Sequence, residues 1–440
     1  MNKHDKKIVI VGGGVSGACA ATKLVDNGYP GELITIIDMG KDPYNRKPEE
    51  VMSGWLGCGG WSDGKLTRHH QIGGHLSKYV GEKRAYELMD ESINLWKRYH
   101  PKPSEMMYSN PTEEPDFIKP YFNLRLFGVH HIGTDYLHEI GKNWYDDLVS
   151  KGVNFKWEQK VTAIDFKRHK LTIGDKRKEP YSSEYYDKLI FAVGKSGIDF
   201  GKQLEDQYKF ETEPKPVQIG VRFEAPQHHF QKLIDISYDF KLYKKFEEER
   251  VSLRSFCTNN NAAYVALEET YGDYSYNGHA KKDESFRNDM TNFGILMQIH
   301  GIENPFEWTR NVTKKLQKNG KGLFYSPSRK PSLTSEGERV PTHQVESLDV
   351  LKDAMGEKYA QYLISFIEDL KKVFPTLQDD YGVYMPEVKY LNSEVKIDHD
   401  KFSILKYPNV YFTGDALSAR GITVSGSHGV LAAESIIKGE

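Results

Sequence analysis

The sequence predicts an α/β protein in which a parallel sheet is combined with a second region of mixed strands and helices. Three observations predict this class. An apolar run at residues 8–11 leads into closely spaced glycines and then into a helical segment. Two later apolar runs end near Gly194 and Gly414, each at a glycine-containing turn. Between these runs, strand and helix patterns alternate, which favours parallel βαβ units.

The first of these units contains a motif that can hold a dinucleotide. Gly12, Gly14 and Gly17 form Gly-x-Gly-x-x-Gly, followed by a helix at residues 18–25, a turn at 27–31 and a second strand at 33–37. In a Rossmann turn these glycines make the bend, admit a pyrophosphate and let helix and strand pack closely. An acid after the second strand can accept hydrogen bonds from both ribose hydroxyls of an adenosine. We therefore expect an adenosine diphosphate ligand, rather than a purely structural turn, bound by Gly12, Gly14, Val15, Ser16, Gly17, Asp38 and Met39.

Length and charge limit the class of protein. The 440 residues are enough for two or three globular domains, and the formal net charge of -2 is close to neutral for this size. A nucleic-acid partner is therefore unsupported but not excluded, since residues 241–245 and 314–321 carry local lysines.

The cysteines and the apolar runs indicate the compartment. Cys19, Cys58 and Cys257 lie far apart without a Cys-x-x-Cys pair, which excludes a zinc ribbon and a redox-active dithiol of that type. The chain begins with a short basic stretch without a signal-peptide core, and no apolar run reaches the roughly 18 residues of a membrane span. We expect a soluble cytoplasmic protein in a reducing compartment, with no membrane partner.

The later motifs decide between the dinucleotides. The strand near residue 190 follows Tyr186-Asp187 and ends at Ala192-Val193-Gly194, and the last strand ends at Gly414-Asp415. In this order the motifs resemble the FAD-binding fold of the glutathione-reductase type. The resemblance implies FAD, with Ala192, Gly194 and Gly414 at strand ends and Asp415 holding a ribityl hydroxyl. It also implies that Gly421, Ile422 and Thr423 direct backbone dipoles at the C2 carbonyl side of the flavin ring.

A narrower resemblance rests on a glycine-rich segment, GWLGCGGWSDGKLTR at residues 54–68. With the segments at 216–227, 255–269 and 276–289, it is similar to a group of prokaryotic FAD-dependent dehydrogenases. The resemblance implies that the glycine-rich segment lies against the pyrophosphate and the flavin, and that backbone at Val161 lies near the adenine. The segment's implied cofactor contacts are Gly59, Gly60, Ser62, Asp63, Gly64, Lys65 and Leu66.

Two segments depart from that group. Residues 258–261 read Thr-Asn-Asn-Asn where the group has a Pro-Gly-Gly turn after its Phe-Cys pair. The stretch at 384–397 lacks the arginine that the group carries before its last strand. Both segments are expected to face the substrate, so the resemblance implies the cofactor and leaves the substrate unknown.

The motif positions predict a discontinuous FAD domain and an inserted substrate domain. The Rossmann-like FAD domain is expected at residues 1–75, 131–205 and 396–440, with a helical and irregular insertion at 76–130. The substrate domain is expected at 206–395, with a mixture of strands and helices. This span has no second Gly-x-Gly-x-x-Gly, so NAD(P)H or another electron partner is expected to bind only transiently, if at all.

Three residues are candidates for catalysis. Lys65 could stabilise an anionic reduced flavin or a developing substrate anion, and it could equally be a solvated or phosphate-neutralising lysine. Arg222 and Asn259 are candidate substrate contacts from their position in the family alone.

Cys58 could neighbour the flavin or tether it, although a small packed thiol is the commoner role. His428 is more simply a structural histidine, and the adjacent spacing of the histidine pairs at 69–70, 130–131 and 228–229 predicts no metal site.

The sequence leaves three functions open. The leading hypothesis is an FAD-dependent oxidoreductase, a dehydrogenase or oxidase that transfers a hydride between a small-molecule substrate and the flavin N5 atom. One alternative is a flavoenzyme acting on a modified nucleobase or an amine attached to nucleic acid. The other is a redox-inactive binding protein that keeps the FAD fold.

Overall fold

The computed structural model describes residues 4–47, 50–62, 64–175, 178–270, 272–280, 284–334, 336–390 and 394–439. The chain forms two compact units. The first comprises Met1–Tyr108, Val129–Glu213 and Asn392–Glu440, and the second comprises Ser109–Gly128 and Pro214–Leu391. Residues 76–108, which the sequence suggested as part of an insertion, thus cluster with the first unit.

The helices account for the most strongly amphipathic segments of the sequence. Within the described residues they are α1 Val15–Asp26, α2 Leu76–Val80, α3 Glu82–Tyr99, α4 Thr134–Ser150, α5 Ile198–Tyr208, α6 Gln231–Ile234, α7 Pro305–Lys315, α8 Val350–Met355, α9 Glu357–Val373 and α10 Ile422–Lys438. Helices α8 and α9 are separate helices, because Gly356 between them has a φ of +89°.

The described strands contain two to ten residues, and the longest, Val217–Pro226 and Met290–Ile299, belong to the second unit. In chain order the described strands are β1 Ile8–Val11, β2 Ile34–Ile37, β3 Lys65–Arg68, β4 Met107–Ser109, β5 Asn123–Leu124, β6 Gly128–His131, β7 Asn154–Lys156, β8 Lys160–Asp165, β9 Lys170–Asp175, β10 Lys178–Tyr185, β11 Lys188–Phe191, β12 Thr212–Glu213, β13 Val217–Pro226, β14 Leu242–Phe246, β15 Val251–Asn259, β16 Ala263–Thr270, β17 Asp273–Ala280, β18 Met290–Ile299, β19 Gln317–Lys318, β20 Lys321–Tyr325, β21 Thr342–Val345, β22 Gly382–Lys389, β23 Glu394–Val395, β24 Ile397–Asp398, β25 Ser403–Ile404 and β26 Val410–Phe412.

A five-stranded parallel sheet is the centre of the first unit. Its order is β26-β11-β1-β2-β7, and every neighbouring pair is parallel. All four residues of β1 and of β2 are buried, which explains why β1 is an unbroken apolar run and why Thr35 is the one polar residue of β2. Helices α1 and α10 pack against each other. The α/β class with a parallel sheet, predicted from the sequence, is confirmed.

The second unit is built on a nine-stranded sheet. Eight strands follow the order β19-β20-β22-β13-β18-β15-β14-β5, and β21 pairs with β20. Along β13, alternate residues such as Ile219, Val221 and Phe223 belong to an apolar core that also contains residues of α7, α8 and α9. The residues between them, including Gln218 and Arg222, belong to the opposite face of the sheet. The hairpin of β16 and β17 forms its own two-stranded sheet.

No helix among the described residues is both long and apolar enough to cross a membrane. The three cysteines are free thiols; Cys19 is buried, and Cys58 and Cys257 are half-buried.

Candidate functional site

The first unit contains a cavity at the carboxyl edge of its parallel sheet. Four neighbouring strands, β26, β11, β1 and β2, each end at it, since Gly414, Ala192, Gly12 and Asp38 all line the cavity. Parallel strands present their carboxyl ends at one edge, so motifs far apart in the sequence meet there. The sheet order explains why the glycine turn, the Ala-x-Gly segment and the Gly-Asp segment lie together.

Each glycine of the first turn meets a different constraint. Gly12 has a φ of +107°, and a Cβ there would lie 2.2 Å from the carbonyl oxygen of Ala192. A Cβ at Gly17 would lie 2.1 Å from the carbonyl oxygen of Gly12, so this position lets helix and strand pack. A Cβ at Gly14 would meet no protein atom within 4 Å, and Gly14 lines the cavity. A side chain at Gly14 would therefore occupy the open space beside the turn.

Two long helices begin at the cavity. Gly14 and Gly421 precede α1 and α10, both line the cavity, and neither helix has an acidic residue in its first turn. The free N–H groups and the dipole of a helix N-terminus favour a negatively charged ligand. Ser16, in the first turn of α1, also lines the cavity, and its buried hydroxyl has no hydrogen-bond partner among the described residues. The Ser16 hydroxyl is thus a donor available to a ligand in the cavity.

The Asp38 carboxylate is hydrogen-bonded to the backbone. Its Oδ2 accepts the Gly13 N–H at 2.7 Å, and its Oδ1 accepts the Gly40 N–H at 2.7 Å and the Gly54 N–H at 2.9 Å. A carboxylate offers about four acceptor positions, so about one remains for a ligand. Contact with both ribose hydroxyls, as expected from the sequence, would require one of these backbone bonds to change.

Arg46 organises the segment that forms one wall of the cavity. Its guanidinium is 6% exposed and donates hydrogen bonds to four backbone carbonyls at 2.5 to 3.0 Å. The acceptors are the carbonyl oxygens of Glu50, Val51, Trp55 and Gly57. Residues of this segment that line the cavity are Met52, Ser53, Gly54, Leu56, Gly57, Cys58 and Gly59. The sequence analysis missed Arg46, because its partners are backbone atoms that no side-chain pattern reveals.

Asp415 is paired with a cation that the sequence analysis also missed. Arg420 Nε lies 2.9 Å from Asp415 Oδ1, and both side chains line the cavity. The backbone N–H groups of Arg420 and Gly421 both donate to the carbonyl of Gly73, which holds the entry to α10. The proximity of Arg420 to the Gly-Asp and Gly-Ile-Thr motifs was the available signal.

The cavity brings together most of the predicted cofactor contacts. Those that line it are Gly12, Gly14, Val15, Ser16, Asp38, Met39, Gly59, Val161, Ala192, Gly194, Gly414, Asp415, Gly421 and Ile422. Predicted contacts within the described residues that do not line it are Gly17, Gly60, Ser62, Gly64, Lys65, Leu66 and Thr423. Asp63 lies outside the described residues. Polar lining residues that the sequence analysis did not select include Lys160, Lys195, Ser196, Arg420 and Ser425.

The three catalytic candidates lie in different places. Lys65 begins β3 in the first unit and is half-buried. Arg222 is fully buried on β13 in the second unit, 2.5 Å from Glu387 Oε1. Asn259 is also fully buried there, and its amide donates to Asn292 Oδ1 at 3.1 Å. Their catalytic roles stay predictions.

Cys58 and His428 also have defined surroundings. Cys58 is half-buried, lines the cavity and lies 3.6 Å from the Met52 sulfur. His428 is fully buried in α10, beside the rings of Tyr79 and Phe402. His428 does not line the cavity, whereas the Cys58 thiol is placed to meet a ligand.

Comparison with known proteins gives distant similarities. No family model matches the chain. An uncharacterised protein of Clostridium beijerinckii is 23% identical over 474 aligned positions, which cover 98% of this chain and 80% of that protein. Similar solved structures include CmlS, described as a flavin-dependent halogenase, at 12% identity and a TM-score of 0.45 over 98% of this chain. They also include a flavoprotein/dehydrogenase from Cytophaga hutchinsonii at 13% identity and a TM-score of 0.42, covering 99% of this chain and 79% of that one.

The chain spans only 58% of the length of CmlS. With these identities and TM-scores, the function has to be argued from the residues of the cavity.

Proposed function

We propose that the cavity of the first unit binds FAD and that the protein is an FAD-dependent oxidoreductase. The observation that carries the proposal is that the cavity has two ends, each lined by groups that can bind part of a ligand. The glycine turn and α1 lie at one end, and Asp415 with the start of α10 lies at the other. A ligand that uses both ends needs a pyrophosphate and a second polar half.

The first end suits an adenosine diphosphate. The open space at Gly14 leaves room for a pyrophosphate, and the Ser16 hydroxyl and the amides of the first turn of α1 would donate to its oxygens. Asp38, with its remaining acceptor position, would take a ribose hydroxyl, and the backbone at Val161 would lie beside the adenine. The open space at Gly14 and the unpartnered Ser16 hydroxyl support this assignment.

The second end suits the flavin half. Asp415 would accept a hydrogen bond from the ribityl chain, and Arg420 would remain beside it as the counter-charge. The first turn of α10 would direct its amides at the C2 carbonyl side of the ring, where negative charge accumulates on reduction. Bound flavin supplies hydride transfer, and the protein supplies position and positive charge.

The remaining parts of the proposal concern partners and location. We propose a small-molecule substrate and a transient electron partner such as NAD(P)H. Three free cysteines, among them the half-buried Cys58, support a reducing compartment such as the cytoplasm.

The first experiment is the visible absorption spectrum of the purified protein, followed by mass spectrometry of the molecule released by acid. We expect the spectrum of oxidised flavin and released FAD. We also expect the colour to bleach reversibly on anaerobic reduction, as a redox role requires. A colourless protein that takes up no added FAD would refute the cofactor, and bound FAD that resists reduction would favour a redox-inactive scaffold. Colour that stays with the denatured protein would indicate a covalent link, with Cys58 as the first candidate.

Gly14→Ala tests the cavity itself. A methyl group at Gly14 meets no protein atom, so the apoprotein should unfold at an unchanged temperature while the FAD dissociation constant rises about tenfold or more. Gly201→Ala in α5 is the matched control, because its Cβ would contact only Phe191 at 3.8 Å and Gly201 does not line the cavity. Equal FAD affinity in both variants would show that the ligand does not lie against Gly14.

A further inference from the structure

The polar face of the nine-stranded sheet in the second unit contains a poorly compensated arginine. Arg254 on β15 is half-buried. Its guanidinium donates to Gln218 Oε1 at 3.0 Å and to Gln298 Oε1 at 3.3 Å. Among the described residues, no carboxylate pairs with Arg254. A partly buried charge that is hydrogen-bonded only to neutral amides has a free-energy cost, and such charges are usually paired with an opposite charge.

The charged residue described nearest to Arg254, Arg125, has the same sign of charge. Tyr243 lies opposite Arg254 in the sheet, and Arg125 stacks over the Tyr243 ring at 5.2 Å. Lys389 lies opposite Gln218 and sits 4.0 Å from the centre of the Phe256 ring. Burial lowers the pKa of Arg254; Tyr243 partly opposes this shift, and the positive charge of Arg125 adds to it. The local field therefore favours an incoming negative charge.

Glu387, an acid on this face, is already engaged with a different arginine. Glu387 lies opposite Gly220 in the sheet and accepts a hydrogen bond from Arg222 Nη2 at 2.5 Å. Arg222 and Glu387 thus balance each other, and among the described residues no carboxylate pairs with Arg254 or Arg125. Gln218 and Gln298 hold the Arg254 guanidinium in place through two of its five N–H groups, so three donors remain for a ligand.

We propose that Arg254, flanked by Gln218 and Gln298, binds the oxyanion group of a small molecule, a carboxylate or a phosphate. A planar guanidinium with free donors matches either group bidentately, and the bound anion would offset the cost of the half-buried charge. The proposal assigns an organic anion to the second unit and does not depend on FAD binding in the first.

The experiment measures thermal unfolding and isothermal titration of the purified full chain with inorganic phosphate and with succinate, at ionic strength held constant with NaCl. We expect at least one of the two anions to stabilise the wild type saturably. Arg254→Gln should lose this response while unfolding, without added anion, at the same or a higher temperature, because the unpaired charge is gone. Arg287→Gln is the matched control, since Arg287 lies in the same unit, is exposed and is paired with Asp289.

The outcomes separate cleanly. Stabilisation by phosphate alone or by succinate alone identifies the group that the site prefers. Arg254→Lys should keep the charge and the fold but weaken binding about tenfold, because a lysine lacks the bidentate fork. If neither anion binds the wild type saturably, or if Arg254→Gln and Arg254→Lys bind as tightly as the wild type, the proposal is wrong. Flavin content is recorded in the same samples, so a failed cofactor proposal shows up separately.

Discussion

The buried side chain of His428 makes the free energy of unfolding depend on pH. It is fully buried beside Tyr79 and Phe402, and neither ring nitrogen has a hydrogen-bond partner among the described residues. Burial lowers the pKa of His428 from 6.5 to about 4, although the negative charge of Glu394 partly opposes this. The folded protein therefore holds the imidazole neutral, while the unfolded chain lets it take up a proton near its ordinary pKa.

The consequence is a loss of stability in acid. Because the folded-state pKa of His428 lies below the unfolded value, its contribution is fully present above pH 6.5 and is lost as the pH falls through about 4. The shift corresponds to about 3 kcal/mol in the free energy of unfolding. His428→Leu should flatten the pH dependence by about that amount, as measured by urea unfolding between these limits. His228→Gln, at an exposed position, is the control, and an unchanged slope in His428→Leu would contradict the assignment.

At the residue scale, the sequence predicted best where backbone geometry leaves one amino acid possible. A Cβ at Gly12 would lie 2.2 Å from a carbonyl oxygen, and one at Gly17 would lie 2.1 Å from another. Only glycine therefore fits at these two positions, which produces a recognisable spacing. Arg46 and Arg420 could not be selected in this way. Arg46 acts on backbone carbonyls of a segment without regular structure, and many surface arginines look the same in a sequence. The carboxylate of Asp38 was selected, but its three backbone donors were not foreseen.

At the scale of elements, the segment between β2 and β3 depends on a single cation. Gly57–Trp61 forms a short 3-10 helix, and the described residues between β2 and this helix belong to no helix or named strand. Arg46 donates hydrogen bonds to backbone carbonyl groups of this segment, and its guanidinium also lies 5.4 Å from the centre of the Trp61 ring. The glycines of this segment form its turns, and the hydrogen bonds of Arg46 hold its backbone in place.

Arg46→Met should disorder this wall of the cavity while leaving the sheet intact. Methionine fills a similar volume but donates no hydrogen bond, and each buried carbonyl left without a partner costs about 1–3 kcal/mol. We expect faster amide hydrogen exchange in residues 50–59 and at least about tenfold weaker FAD binding. Arg68→Met, which removes a half-exposed ion pair with Asp90, should change neither quantity. Retained protection and affinity in Arg46→Met would contradict the role given to Arg46.

For the whole molecule, the two units have separate apolar cores. One core surrounds the parallel sheet and includes residues of β1, β11 and α10, and the other lies between the nine-stranded sheet and α9. Ligands that bind one unit should therefore stabilise the core of that unit. The fold class could be predicted because strands buried on both faces produce continuous apolar runs. The unit boundaries were harder, since α3 is amphipathic in either arrangement and its packing against α10, α4 and β3 associates it with the first unit.

Hydrogen exchange with and without FAD measures this separation. At a free concentration of about a hundred times the dissociation constant, FAD should add about 2.7 kcal/mol to the opening free energy of amides in β1 and β11. Amides in β13 and β18 should gain much less. An equal gain in both sets of strands would show that the units unfold as one, and no gain in β1 and β11 would contradict the cofactor site.

The hydrogen bonds of Asp38 also bear on how quickly a cofactor enters. Its carboxylate joins the turn after β1, the chain after β2 and the glycine-rich segment before any ligand arrives. A cavity whose walls are already tied together needs little ordering on capture, so the association rate should approach that of simple encounter. Differences in affinity among variants of the cavity would then appear mainly in the rate at which the cofactor leaves. The hydrogen bonds of Asp38 would thus make the dissociation rate of the cofactor, rather than its association rate, the quantity that substitutions in the cavity change.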